Sequence, residues 1–187
     1  MPRIGLFLGH SILKNGACTS ADGRKYGGCL EYAFNKKLIK DLQEYLEGYT
    51  GFDVKVIKCP EGQFTSSTQE RDYKLMKANS GKYDLILELH LNASYNKKAE
   101  GAEVLYYPSS MKGKKAAACI QAELSKIFKD RGIRGRSDLY MLKRTIPVAL
   151  IVESFFCTSE ADYKKANSSA ERKKIAEAIG RGVYNYF

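Results

Sequence analysis

Histidine is scarce in this sequence of 187 residues, occurring only as His10 and His90. Any chemistry that needs an imidazole must use one or both. No run approaches the roughly 18–20 uncharged apolar residues that a spanning helix requires, which argues against membrane insertion. The opening MPRIGLFLGH is too short for a signal-peptide core and lacks a small-residue cleavage pattern. It reads as the first strand of a protein made in the cytoplasm and not exported by a signal of its own. The five cysteines, Cys18, Cys29, Cys59, Cys119 and Cys157, are odd in number and include no C-x-x-C pair. That disfavours a disulfide framework or a structural zinc cluster and leaves small core residues as the default. A thiol nucleophile, Cys157 or Cys29 acting with His90, is the alternative. There is no internal repeat, low-complexity tract or linker, so one domain is expected over residues 1–187. Acidic residues are also outnumbered, 21 against 31 Lys and Arg, for a net charge of +10. The excess suits a polyanionic partner (nucleic acid, an anionic membrane surface or an anionic cell wall) or simply a solvated lysine-rich face. The basic residues are spread along the chain without a nucleic-acid-binding motif, so nucleic acid is not expected.

What is present alternates between two periods. Residues 84–92, DLILELHLN, place Leu85, Leu87, Leu89 and Leu91 on one face of a strand. Ile86, Glu88, His90 and Asn92 take the other face, which turns polar toward the end. A second apolar run, RIGLFLGH, ends at His10. Further strands are expected over 53–58, 102–107, 139–142 and 147–152, the last ending at Glu153. Helical spacing predicts helices over about 30–47, 67–79, 114–129 and 171–187. Turns are expected at 48–51 and 96–101, and a long Gly- and Ser-rich loop at 11–30. This order predicts an α/β fold, a largely parallel mixed sheet of about six strands flanked by helices. Ligand sites in such sheets form at the carboxyl ends of strands. His10, His90 and Glu153 are placed at such ends, and Glu31 opens the helix that returns to the same edge. Glu31 also lies on the stripe that faces the protein, a costly place for a carboxylate unless something positive meets it.

Two imidazoles and one carboxylate are sufficient to hold a catalytic zinc with a fourth position left for water. A second carboxylate, off the metal, can move the water's proton to a leaving amine. Spacing alone leaves Glu31 and Glu153 interchangeable in these roles. Glu88, on the face of His90, is either a partner of that histidine or a rival acid. Glu153 could instead pair with a cation such as Lys143. No local H-E-x-x-H motif is present, so the ligand set is long-range.

The blocks GHSILKNGACTSADG, the helix opening at Glu31, YDLILELHLNAS, EVLYY and PVALIVESFF resemble those of zinc-dependent N-acetylmuramoyl-L-alanine amidases. The resemblance is greatest to the catalytic domains of endolysins from phages of clostridia and runs from His10 to the final helix. It implies an amidase or zinc-exopeptidase-like fold, with zinc on His10, Glu31 and His90 and Glu153 as catalytic acid/base. It further implies hydrolysis of peptidoglycan between N-acetylmuramic acid and L-alanine, with peptidoglycan and anionic wall polymers as partners. Synthesis in the host cytoplasm, action on the wall after release, and no wall-binding domain follow as expectations. Departures from the family pattern are Phe7-Leu8 before Gly9-His10, Glu88 two residues before His90, and Phe155 and Ser159 after Glu153. A zinc carboxypeptidase on a similar scaffold, or an inert wall- or nucleic-acid-binding module, are the other readings.

Overall fold

Six strands form one sheet: β1 (Arg3–Leu8), β2 (Asp53–Ile57), β3 (Leu85–Asn92), β4 (Ala102–Tyr106), β5 (Asp130–Gly135) and β6 (Val148–Phe156). The computed structural model describes residues 1–96 and 98–187. The strand order is β2-β1-β3-β6-β4-β5. β2, β1, β3 and β6 run parallel, β4 lies antiparallel to β6, and β5 is parallel to β4. The sheet is therefore mixed and largely parallel, as expected.

The leucine alternation in β3 decides the layering. Leu85, Leu87, Leu89 and Leu91 are buried against a thick helical layer of α1 (Glu31–Thr50), α3 (Met111–Leu124) and α6 (Ser169–Tyr186). That layer contributes Leu38, Leu42, Ile120, Ile175 and Ile179 to one continuous core. Gly182 lets α6 approach α3 closely, since a Cβ there would lie 2.5 Å from the Cα of Ile120. The opposite face carries Phe7, Ile86, Leu105 and Ile151 beneath a thinner layer of α2 (Ser67–Ser80) and the single turn α4 (Tyr140–Lys143).

Several boundaries differ from the sequence reading, each for a physical reason. The Gly/Arg segment DRGIRG is the edge strand β5, because pairing with β4 overrides its weak strand propensity. Residues 139–142, expected as a strand, turn instead into α4, with Met141 and Leu142 buried under the sheet. α1 continues to Thr50 and ends at Gly51, whose φ of 65° gives the left-handed cap that glycine favours. A short helix, α5 (Glu160–Lys164), was not anticipated. The turn expected over 96–101 includes Lys97, which lies outside the described residues.

β6 runs past the expected end at 152, so Glu153 stands inside the strand. A bulge follows it: His90 pairs with Glu153, but Asn92 pairs with Phe156, which inserts one extra residue in β6. Glu153 thereby stays on the cleft face, while Phe155 enters the opposite core between Phe34 and Phe128. Among the described residues, no helix is long and apolar enough to cross a membrane.

Candidate metal centre and active-site cleft

The centre is assembled from the ends of β1 and β3 and the start of α1. Gly9 donates its N–H to the carbonyl of Leu89 at 3.1 Å, tying the exit of β1 to β3. Only glycine fits there, because a Cβ would lie 2.5 Å from the His90 ring and 2.6 Å from the Leu89 carbonyl. His10 follows with φ of 62°, a left-handed conformation that costs a non-glycine residue about 1–2 kcal/mol. Such strain is retained where the surroundings fix it, often at functional sites. The loop between His10 and α1 is pinned by short bridges, Ile12 with Cys18 and Asp22 with Leu30. The second bridge delivers Glu31 to the edge of the sheet.

Glu31 is only 2% exposed. Its Oε1 lies 3.1 Å from Nδ1 of His90 and 3.3 Å from Nε2 of His10. The two imidazoles meet edge to face, with centroids 4.8 Å apart. Two backbone donors orient the carboxylate: Leu91 N–H to Oε1 at 3.0 Å, and Ala21 N–H to Oε2 at 3.0 Å. Burial raises the Glu31 pKa, but the two facing histidines outweigh it and hold the carboxyl well below its ordinary range. The charge also sits in the first turn of α1, where the helix dipole favours it.

One ligand atom from each of His10, Glu31 and His90 lies within 4.8 Å of the others. A two-imidazole, one-carboxylate set suits zinc in both ligand type and number, with a coordination position to spare. The surroundings fit as well, since the carboxylate is pre-oriented by amides and a second carboxylate stands behind one histidine. That carboxylate is Glu88, whose Oε2 lies 3.5 Å from Nε2 of His90. Burial lowers the His90 pKa, but Glu88 and Glu31 more than reverse this and lift it to about 10.

Glu88 is itself fully enclosed and accepts a hydrogen bond from Nζ of Lys74, an equally buried lysine on α2. Burial again raises its pKa, and Lys74 and His90 overcome that to hold it well below normal. Glu88 is thus a partner of His90 and not a rival acid. The Lys74→Met variant should lose about 3–5 kcal/mol of stability, because it strands a buried carboxylate. A large fall in the thermal midpoint would report this. The double variant Lys74→Met/Glu88→Met should regain most of the loss.

Glu153 lies across from His90 on β6, facing the same cleft. Its Oε2 makes no hydrogen bond, and Lys143 is not among the charged groups that chiefly act on it, which are His90, Glu31, Glu103 and Glu88. Burial pushes its pKa up; His90 opposes this, Glu31, Glu103 and Glu88 add to it, and the result is about 7. Glu103, its antiparallel neighbour on β4, is already engaged by Asn92 Nδ2 at 2.8 Å and Arg134 Nε at 2.7 Å. Of the two paired acids, Glu153 is therefore the one left available for proton transfer.

The cleft holds about 330 Å³ and brings His10, His90, Glu88 and Glu153 together with Thr19, Glu70, Arg71, Lys74 and Tyr140. Sequence reasoning missed the α2 and α4 contributors. The i, i+3, i+4, i+7 spacing of Ser67, Glu70, Arg71 and Lys74 was a readable sign of one polar face turned to a site. The thiol alternative fails: Cys29 and Cys157 do not line this cleft, and burial pushes both thiols up to about 12.

Fold and donor set define an α/β protein with a candidate His–Glu–His metal site and an unpaired carboxylate beside it. The chain belongs to the N-acetylmuramoyl-L-alanine amidase family, whose pattern it matches over residues 4–185. It is similar to the catalytic domain of the CD27L endolysin, described as targeting Clostridia difficile, at 45% identity and a TM-score of 0.91, over 99% of this chain and 98% of that one. It is 30% identical over 125 residues to the N-acetylmuramoyl-L-alanine amidase LytC of Bacillus subtilis, covering 65% of this chain and 24% of LytC. The CwlD amidase of Clostridioides difficile shares the fold, with a TM-score of 0.86 at 23% identity over 100% of this chain and 98% of that one. The chain spans between about a quarter and somewhat over half the length of the curated relatives it matches first.

Proposed function

We propose that the chain is a zinc-dependent amidase that hydrolyses peptidoglycan between the lactyl group of N-acetylmuramic acid and the L-alanine of the stem peptide. The observation that carries this is the meeting of His10 Nε2 and His90 Nδ1 on one oxygen of Glu31, with the unpaired carboxylate of Glu153 in the same cleft. His10, Glu31 and His90 would hold the zinc. When bound, that ion supplies Lewis-acid polarisation of the amide carbonyl and an acidified water. Glu153 takes the proton of the attacking water and passes it to the departing amine nitrogen. In the metal-free protein burial lifts the Glu153 pKa to about 7, the direction that suits a group that must accept and then donate a proton. Glu88 and Lys74 keep the His90 ring in place while this happens, and the amides of Ala21 and Leu91 do the same for Glu31.

Zinc-loaded protein incubated with purified walls should release new amino termini on L-alanine, and a chelator should stop it. Release of free carboxy-terminal amino acids without new alanine termini would indicate a carboxypeptidase. Walls bound but not cut, with or without chelator, would indicate an inert binding module.

The net charge of +10 supports a further part of this reading, attraction to anionic wall polymers. Wall binding should weaken sharply between 0.1 and 1 M salt, as the Debye length falls from roughly 10 to 3 Å. Turnover of a small soluble muramyl peptide should change far less, since the scissile amide is neutral. Salt-indifferent binding would reduce the lysines to a solvated face.

A further inference from the structure

Just past Glu153 the regular pairing of β6 ends on both of its sides at once. Toward β3, the extra residue of the bulge separates the pair His90 and Glu153 from the pair Asn92 and Phe156. Toward β4, the antiparallel register stops at Glu103 and Glu153, and Ala102 pairs with Asp130 on β5 instead. The amides of Phe156 and Gly101 lie where the two strands part, and one oxygen takes both. Oδ2 of Asp162 accepts the Phe156 N–H at 3.0 Å and the Gly101 N–H at 2.9 Å. Asp162 is completely buried in the first turn of α5, and its own N–H is donated to the Ser159 hydroxyl at 3.2 Å. Its Oδ1 makes no hydrogen bond. A buried carboxylate is costly without compensation. Here the compensation is the two amides, so Asp162 and the parting strands hold one another in place.

The position of the bulge decides where Glu153 points. A one-residue slip moves every side chain of a strand to the opposite face, and a bulge beside a site re-aims a side chain in the same way. Upstream, β6 is in register with β3 from the pair Leu85 and Val148 to the pair His90 and Glu153. Downstream, the Cys157 N–H meets the Asn92 carbonyl at 2.8 Å while the Phe156 N–H meets Asp162. The extra residue is thereby confined to Ser154 and Phe155. Were it to move back by one, Glu153 would lose its place opposite His90 and, with it, the cleft face. The same Asp162 oxygen, through Gly101, fixes the start of β4, which carries Glu103 beside Glu153. Asp162 does not itself line the cleft, so whatever it does there it does through β6.

We propose that Asp162 is a positioning residue for Glu153, pinning the bulge of β6 so that the carboxylate stays opposite His90. Its effect on turnover rests on the amidase reading, but the pin itself is read without cleavage. Zinc-loaded wild type, Asp162→Ala and Asp162→Asn are compared on a soluble muramyl peptide, each with and without Glu153→Gln. Asp162→Ala should lower kcat about 10–100-fold with KM and zinc content unchanged, since a displacement near 1 Å can cost about 10²-fold. Asp162→Asn keeps an acceptor oxygen of the same reach and should recover most of that rate. In the Glu153→Gln background Asp162→Ala should cost nothing further, whereas damage unrelated to Glu153 would multiply. Hydrogen exchange at the Phe156 and Gly101 amides should accelerate in Asp162→Ala and stay slow in Asp162→Asn. If Asp162→Ala does not fold, Ser159→Ala, which removes the acceptor of the Asp162 N–H, should give a smaller loss with the same dependence on Glu153. Wild-type kcat in Asp162→Ala, or a loss that persists in full beside Glu153→Gln, overturns the proposal. If the wild type cleaves no muramyl peptide, the amidase reading falls and the exchange rates decide the pin, which unchanged protection at Phe156 overturns.

Discussion

Replacing Glu153 with Gln should lower turnover by about 10³-fold or more while the zinc content stays at one per chain. General acid–base help is worth about 10²–10⁴-fold, and 10³-fold is about 4 kcal/mol of barrier. Gln keeps the size and can still accept a hydrogen bond, but it cannot take and return a proton. Paired elemental analysis and single-turnover rates would decide this, and near-normal turnover would exclude the mechanism. The same variant carries a second signature, in the metal-free protein. Burial lifts the wild-type carboxyl to about 7, above its ordinary value of 4.5. A folded-state pKa raised in this way favours folding of the protonated form, so it opposes folding progressively as pH climbs from about 4.5 through 7. Glu153→Gln should therefore melt higher than wild type at pH 8, with the gap closing toward pH 4. Equal melting temperatures at pH 8 would mean that the carboxylate is solvated, contrary to its position.

His90→Ala should remove both metal and activity, leaving turnover at background while the sheet remains folded. The ring contributes one of three donors and also covers Gly9, so its loss opens the floor of the centre. Full zinc occupancy in purified His90→Ala would sink the ligand assignment. A calorimetric readout sharpens it. His90 is held protonated at neutral pH by Glu88 and Glu31, so metal uptake must expel that proton. Zinc titrations of the wild type in two buffers of different ionisation enthalpy should differ in apparent heat. Glu31→Ala should lose metal too, in contrast to Glu153→Gln, which separates the two glutamates.

The four residues His10, Glu31, His90 and Glu153 were legible because parallel sheets place strand exits on one rim. The period-2 pattern in DLILELHLN and the apolar run PVALIV before Glu153 place His90 and Glu153 near strand ends without tertiary information. Other features were hidden for definable reasons. The bond between Lys74 and Glu88 joins a helix to a strand, and no local pattern distinguishes a lysine that will be buried from one that will be solvated. β5 has Gly and Arg where strand formers are expected, and only its pairing with β4 makes it a strand. The bulge after Glu153 depends on which residues face across from it, so the end of β6 could not be read from its own alternation. The surroundings of Glu31 and Glu153, interchangeable by spacing, differ in three dimensions: one faces two imidazoles and two amides, the other makes no bond through Oε2.

The buried residues of α2 are Glu70, Lys74 and Ala78, not a stripe of leucines. The wall of the cleft is therefore fastened to the sheet by an ion pair and a hydroxyl contact, while α1, α3 and α6 supply the greasy mass of the core. The larger apolar core and the polar cleft therefore lie on opposite sides of one sheet. Substitutions at the exposed polar positions of α2 can accordingly reshape the cleft wall without reopening the larger core, whereas Lys74 and its partner Glu88 must change together. The same separation tells an engineer where to mutate for a new target, and where to leave the sequence alone.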